Sequence, residues 1–294
     1  MIELLATTPA LFIGCSLVLG LLVGSFLNVV ILRVPVMLER RWRAEALALD
    51  GKTSPEEAPF DLIRPRSCCP GCKAPITSLQ NIPVISYLLL RGRCAGCAQP
   101  IGLRYPLFEL ATGLASAIVA WKFGWGPACA AALVLTWFLV ALAGIDLDTQ
   151  LLPDNLTLPL LWLGLFASLV LPAATAGQTL PVDLRAAVIG ALAGYLSLWS
   201  LFHLFRLLTG KEGMGYGDFK LLAALGAWLG WQMLLPIVLA AAGVGALVGI
   251  AMIVFRRHDK GVPIPFGPFL AAAGWLVLLF GRELVDGYLG LYAP

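Results

Sequence analysis

The chain has 294 residues, of which 60% are hydrophobic and only 13% charged. With a mean hydropathy of +0.88, this composition excludes an ordinary soluble globular domain and predicts a polytopic membrane protein in contact with the lipid bilayer. The net charge is +3 and the lysines and arginines are scattered. We therefore expect no nucleic-acid partner.

Apolar runs of about 20 residues, the length that a helix needs to cross a bilayer, recur along the chain. They lie near residues 10–32, 105–123, 127–147, 156–173, 186–208, 234–255 and 264–281. A further run from Phe219 to Trp231 is shorter, which predicts a helix that begins at the membrane boundary and lies behind others. We expect an all-α protein with about eight transmembrane helices.

Lysine and arginine predict the orientation, because these residues are retained on the cytoplasmic side of the membrane. If the N-terminus is outside, all 20 of them lie on the inner side except Lys122, Arg185 and Arg282. The polar segment between the first two spans is then cytoplasmic. We predict a first transmembrane helix at 1–33, a small cytoplasmic zinc-ribbon-like domain at 34–104, and an intramembrane domain of about seven helices at 105–294.

Four cysteines of the polar segment form two Cys-x-x-Cys pairs, Cys69-Pro-Gly-Cys72 and Cys94-Ala-Gly-Cys97. Four thiolates at this spacing suit a tetrahedral structural Zn²⁺, which keeps no open coordination position and so takes no part in catalysis. Cys68 is adjacent, but only Cys69 gives the two-residue spacing. A set of free thiols or a redox pair is the alternative interpretation.

Two aspartates stand at the ends of apolar runs, where an ionisable side chain is costly unless it has a function or a partner. Asp146 closes one run and Asp218 follows the stretch Gly213-Met-Gly-Tyr-Gly. The predicted topology places both on the cytoplasmic face. Because two facing carboxyl groups can divide acid and base roles, we predict an aspartic-protease pair in which one activates water and the other protonates the scissile carbonyl.

Helix capping is the alternative for each of these carboxylates. Asp218 could cap the helix that follows Gly217, and Asp154 or Asn155 could cap the span after Pro153. For Asp148 and Asp154 we favour a solvated or capping role. For Asp146 and Asp218 the position at the membrane edge favours a functional role.

Segments spread over almost the whole chain resemble a known family. They are Gly24-Ser-Phe-Leu-Asn-Val, the two Cys-x-x-Cys pairs, Arg104-Tyr-Pro-Leu-Phe-Glu109, Ile145-Asp-Leu-Asp-Thr, Leu152-Pro-Asp, Lys211 to Lys220, and Pro263-Ile-Pro-Phe-Gly-Pro268. Gly215-Tyr-Gly-Asp218 is similar to the Gly-x-Gly-Asp motif of intramembrane aspartyl proteases. As a whole the chain resembles the type IV prepilin peptidases.

This resemblance implies a multi-pass enzyme of the bacterial inner membrane whose active site faces the cytoplasm. It would cut the basic leader from type IV prepilins and type II secretion pseudopilins after a glycine. It would then methylate the new N-terminus from S-adenosylmethionine. The catalytic aspartates of the family match Asp146 and Asp218.

The methyl-donor site is not placed by any glycine fingerprint of the soluble Rossmann type. The segment Gly24 to Asn28, the cysteine-rich domain and Glu109 are candidates by resemblance only. For Gly20 and Gly24, simple helix packing is the favoured alternative. Glu109 could be functional, or could be neutralised by Arg104 about one turn away.

Two functions of other classes compete with the peptidase. A proton-coupled transporter could use Asp146 and Asp218 as a relay, although its ionisable groups should lie near the midplane and its sequence should show inverted repeats. A non-catalytic zinc-bearing scaffold of a secretion system would tolerate Asp-to-Asn changes. Mutation of the two aspartates separates the scaffold from the enzyme.

Overall fold

The computed structural model describes residues 2–52, 58–171, 180–211, 213–256 and 265–290. The α-helices in this part of the chain are α1 Ile2–Thr7, α2 Pro9–Leu49, α3 Ile85–Leu89, α4 Arg104–Phe123, α5 Pro127–Thr149, α6 Asp154–Val170, α7 Leu184–Thr209, α8 Tyr216–Leu229, α9 Leu234–Arg256 and α10 Gly267–Gly290. The described residues contain no β-strand, only two isolated β-bridges. The prediction of an all-α protein is confirmed.

Several of these helices are apolar enough to lie in a bilayer. Within the described residues, α2, α5, α7 and the helical stretch Trp231–Met252 have both the length and the hydropathy to cross, and α6 is a shorter apolar helix. The class of polytopic membrane protein is therefore confirmed. The count of about eight crossings stays a prediction, with α4, α8 and α10 as the other helices that it requires.

The first long helix continues well beyond the membrane. Helix α2 has 41 residues, which at a rise of 1.5 Å per residue makes it about 60 Å long, or twice the hydrocarbon thickness. Pro35 lies inside it without ending it. The segment Leu38 to Leu49 is helical and continues the first span without a break.

The chain divides into two compact units, Met1–Trp121 and Lys122–Pro294. In the first unit, α2 and α4 pack with their backbones close together. A Cβ added to Gly20 would lie 2.8 Å from the carbonyl oxygen of Thr112, and one on Gly24 would lie 2.8 Å from Cα of Glu109. Small residues that allow such an approach are typical of helix pairs in membranes, so both glycines have a packing role.

Helix α8 is the most enclosed element of the second unit. It is surrounded by α6, α7 and α10, and nearly all its side chains from Asp218 onward are buried. Its contact with α7 depends on glycine, because a Cβ on Gly190 would overlap the carbonyl oxygen of Gly226. With 14 residues it is about 21 Å long, which fits the predicted short helix behind others.

Some sequence predictions are finer than the structure can test. The predicted domain boundaries after residues 33 and 104 stay predictions. Pro263 and Ile264 of the proline-rich motif lie outside the described residues.

Candidate functional site

Asp146 lies in the last turn of α5 and is buried. Its Oδ2 accepts a hydrogen bond of 3.0 Å from the backbone N–H of Gly267, the first residue of α10. A Cβ on residue 267 would lie 2.6 Å from the same oxygen, so a larger residue there would displace the carboxyl group. The start of α10 therefore orients the carboxyl group of Asp146.

Asp218 is the third residue of α8 and is also buried. The N-cap position belongs to Gly215, so Asp218 is not the N-cap residue. Its carboxyl group accepts a hydrogen bond from the backbone N–H of Gly215 and so also satisfies the start of α8. Gly217 leaves room for the side chain of Leu152, because a Cβ at residue 217 would lie 2.6 Å from Cβ of Leu152.

Both aspartates line one cavity of about 260 Å³ in the second unit. The residues around it are Asp146, Gln150, Leu152, Gly213, Met214, Gly215, Gly217, Asp218, Pro265 and Phe266. A water molecule occupies about 30 Å³ in the liquid, so the cavity has room for water beside the carboxyl groups. Apart from Gln150, its remaining lining is apolar side chain and glycine backbone, which suits an extended peptide segment.

Asp154, which is close to the cavity residues in the sequence, has a structural partner. Pro153 is the N-cap residue of α6, and Asp154 is the first residue inside the helix, so Asp154 is not the cap that the sequence suggests. Its Oδ1 lies 2.6 Å from Nζ of Lys220 in α8. This ion pair links the starts of α6 and α8, the two helices that begin next to the cavity.

The four paired cysteines come together in the first unit. Their sulfur atoms, those of Cys69, Cys72, Cys94 and Cys97, all lie within 4.8 Å of one another. The Sγ atoms are 3.7 Å apart for Cys69 and Cys97 and 3.9 Å apart for Cys72 and Cys94. Four ligands at 2.3 Å from a tetrahedral Zn²⁺ would be separated by about 3.8 Å, so the cluster fits this ion.

The two Cys-x-x-Cys pairs adopt the same type of turn, and the two turns are 25 residues apart in the sequence. The amide of Lys73 donates to the carbonyl of Cys69, and the amide of Ala98 donates to that of Cys94, both at 2.9 Å. Lys73 and Ala98 both have positive φ, 59° and 56°. The repeat is visible in the sequence, where 66–76 aligns with 91–101, and it presents two thiols from each side.

The backbone of these turns favours thiolate. N–H groups of Cys72 and Gly71 point at the sulfur of Cys69 and lower the pKa of that thiol to about 6. The pKa of Cys94 is lowered in the same way by N–H groups of Cys97 and Gly96. The pKa of Cys97 is instead raised to about 11: although the N–H of Gln99 lowers it, burial and the other three cysteines outweigh that bond. Because thiolate is the form that binds metal, a cation at the centre of the cluster would offset this effect. Cys68 is exposed and lies outside the four-sulfur cluster.

Comparison with known proteins identifies the family. Residues 18–123 match the model of the bacterial peptidase A24 N-terminal domain, and residues 133–250 match that of the type IV leader peptidase family. The chain is 55% identical over 293 residues to the prepilin leader peptidase/N-methyltransferase of Aeromonas hydrophila, with 98% of each chain covered. This chain belongs to the prepilin leader peptidase/N-methyltransferase family.

Two further relatives have the same name. The prepilin leader peptidase/N-methyltransferase of Pseudomonas aeruginosa is 52% identical over 98% of this chain and 97% of its own length. That of Neisseria gonorrhoeae is 52% identical over 88% and 87%. No solved structure matches the chain. These relatives favour the peptidase over the transporter and scaffold alternatives.

Three features of this prepilin peptidase family member were not predicted from its sequence. The bond from Gly267 to Asp146 joins residues 121 positions apart, and no sequence pattern indicates it. Gln150 lines the cavity without any motif that marks it, and Phe266 lines it from the proline-rich motif, which does not indicate that position. Glu109 accepts a hydrogen bond of 2.8 Å from the backbone N–H of Val84. This bond gives Glu109 a partner other than the one that sequence proximity suggests, Arg104.

Proposed function

We propose that this protein cleaves the leader peptide from type IV prepilins and from type II secretion pseudopilins, and then methylates the new N-terminus. The single observation that carries the peptidase assignment is that Asp146 and Asp218, from different helices, are buried in the lining of one cavity. The names of relatives that match nearly the whole chain support the choice of substrate.

The two carboxyl groups would hydrolyse the peptide bond without a covalent intermediate. One carboxylate takes a proton from water as the water oxygen attacks the scissile carbonyl carbon, while the other carboxyl group donates its proton to the carbonyl oxygen. The tetrahedral intermediate then collapses as the C–N bond breaks and the leaving amine receives a proton. The amide of Gly267 keeps Asp146 in position throughout.

The cofactors have separate roles in this proposal. Cys69, Cys72, Cys94 and Cys97 would hold a structural Zn²⁺ that stabilises the fold of the cysteine-rich domain and does not touch the substrate. S-adenosylmethionine would supply the methyl group when bound. The amine released by cleavage would be the methyl acceptor, so cleavage has to precede methylation.

Zinc binding can be tested by substitution. We expect about one zinc per chain, and we expect Cys94→Ser to lower the zinc content and the stability of the cysteine-rich domain, because three thiolates leave the tetrahedral site incomplete. Metal analysis of the purified protein measures this. Cys68→Ser is the matched control and should keep full zinc, whereas full zinc in Cys94→Ser would refute the ligand assignment.

The orientation in the membrane is part of the proposal. We place the multi-pass chain in the bacterial inner membrane with the cavity open to the cytoplasm, because the lysines and arginines concentrate on that side. A cysteine introduced at Lys211, with the four paired cysteines intact, should resist an impermeant thiol reagent added from the periplasm. A cysteine at Arg185 should react. The opposite labelling pattern would show that the chain has the reverse orientation in the membrane.

Product analysis tests the function itself. The purified protein is incubated in detergent with a prepilin and S-adenosylmethionine, and the products are identified by mass. We expect loss of the leader and gain of one methyl group on the mature pilin. An unchanged prepilin mass, from a protein that keeps its zinc, would reject the proposed activity.

A further inference from the structure

The segment that connects the two cysteine turns exposes an unusual amount of apolar surface. It runs from Leu79 to Leu90, includes α3, and is called the α3 segment below. Leu79 is 78% exposed, Leu88 68% and Leu89 79%. Neighbouring exposed apolar side chains that form a patch indicate a binding surface rather than ordinary solvent exposure.

The charged residues in the stretch of sequence that contains the α3 segment are all cations. The chain contains no aspartate or glutamate from Leu62 to Phe108, a stretch that includes both cysteine turns. The same stretch contains the cations Arg64, Arg66, Lys73, Arg91, Arg93 and Arg104. Leucines flanked by arginines fit an anionic lipid surface, where the apolar side chains enter the acyl boundary and the guanidinium groups meet lipid phosphates.

A hydrogen bond ties the α3 segment to a membrane helix. The amide of Val84 donates to Oε2 of Glu109 in α4 at 2.8 Å, and Glu109 is buried. Val84 has φ of 59°, a conformation that a β-branched residue adopts only when its surroundings hold it there. The carboxylate of Glu109 therefore fixes the start of α3 against α4.

The attachment point gives the depth of the segment. Glu109 follows Arg104, the first residue of α4, by five positions, or about 7.5 Å along the helix axis. The amide of Asn28 in α2 donates to the carbonyl oxygen of Tyr105, so α2 and α4 lie side by side at this level. The headgroup layer is about 5–8 Å thick on each side of the hydrocarbon. Val84 is thus held close to the boundary between headgroups and acyl chains.

We propose that the α3 segment is a membrane-docking element that inserts Leu79, Leu88 and Leu89 into the anionic cytoplasmic leaflet. Arg91 and Arg93 bind lipid phosphates beside it, and Glu109 sets its depth. Two other occupants fit the charge less well. A basic leader peptide would be repelled by the surrounding cations, as would the same surface of a second copy of this chain. The proposal rests on α4 crossing the membrane and is independent of the roles of Asp146 and Asp218.

Photocrosslinking in nanodiscs tests the docking. A benzophenone amino acid replaces Leu88 or Leu89 in the full-length protein, which is irradiated in nanodiscs of phosphatidylglycerol and phosphatidylethanolamine and analysed by mass. We expect a gain of one phospholipid mass at each position, enriched in phosphatidylglycerol. Substitution of Arg91 and Arg93 by glutamine should remove that enrichment, and its persistence would contradict the role of the arginines.

The chain offers a matched control. Leu49 is 90% exposed and ends α2, about 24 Å along the helix beyond Arg33, so the probe there should give no lipid adduct. Retained zinc shows that the cysteine-rich domain of each variant is folded. Equal lipid adducts at Leu49 and Leu89, an adduct with a second copy or with prepilin, or no adduct at either leucine of α3 would each overturn the proposal.

Discussion

Replacing Asp146 with asparagine is expected to reduce prepilin cleavage by about 10²–10⁴-fold, the usual contribution of a positioned acid or base. Asparagine keeps the shape of the side chain and can still pair with Gly267, but it cannot exchange a proton with the attacking water. The structure should therefore be preserved while the chemistry is lost. The rate of leader release, measured by mass under single-turnover conditions, gives the result directly.

The two aspartates are expected to act as a unit. If both carboxyl groups are needed for one step, the double variant with asparagine at 146 and 218 should be no slower than either single variant. Asp148→Asn and Asp154→Asn are the controls and should retain most cleavage activity, since Asp154 pairs with Lys220 rather than lining the cavity. Additive losses from Asp146 and Asp218 would indicate independent roles.

Gly267→Ala is expected to reduce cleavage by about 10²-fold, because a displacement of the order of 1 Å in a catalytic group has that effect. The added methyl would lie 2.6 Å from Oδ2 of Asp146, so the carboxyl group has to move and its hydrogen bond is lost. The expected signature is a lower kcat with a similar KM. Methylation of an already mature pilin should not change.

Gly274→Ala provides the steric control for this variant. Gly274 lies in the same helix, and a Cβ there would lie 2.5 Å from Cδ2 of the buried Leu225, so the added methyl group is about as crowded as at residue 267. It does not touch either aspartate. Equal loss of cleavage in Gly267→Ala and Gly274→Ala would mean that α10 is generally intolerant and that Gly267 has no special part in positioning Asp146.

Much of this organisation was predicted from the sequence, because the signals are local. The apolar runs follow from helix length and hydropathy, and the four-cysteine cluster follows from two Cys-x-x-Cys pairs whose sulfur atoms meet in space. Family membership was also predicted correctly from the motifs. The catalytic roles of Asp146 and Asp218 stay predictions, although the structure places both in one cavity.

The remaining features depend on contacts between distant residues. Gly267 stands in a proline-rich motif that gives no sign of its partner in α5, and the pair of Lys220 with Asp154 joins two helices 66 positions apart. Asp154 was interpreted as a cap or a solvated residue because its sequence neighbours suit either role. Glu109 was left open between a functional role and neutralisation by Arg104, and the amide that it binds is brought close only by the fold of the cysteine-rich segment.

The most direct test of the catalytic pair is the Asp218→Asn protein, purified and incubated with prepilin and, separately, with a mature pilin that lacks its leader. We predict that leader cleavage is lost while methylation of the mature pilin continues, because methyl transfer to an amine needs no activated water. A thermal unfolding transition equal to that of the unmodified protein shows that the variant is folded. Cleavage by folded Asp218→Asn at a rate close to that of the unmodified enzyme would contradict the two-aspartate mechanism.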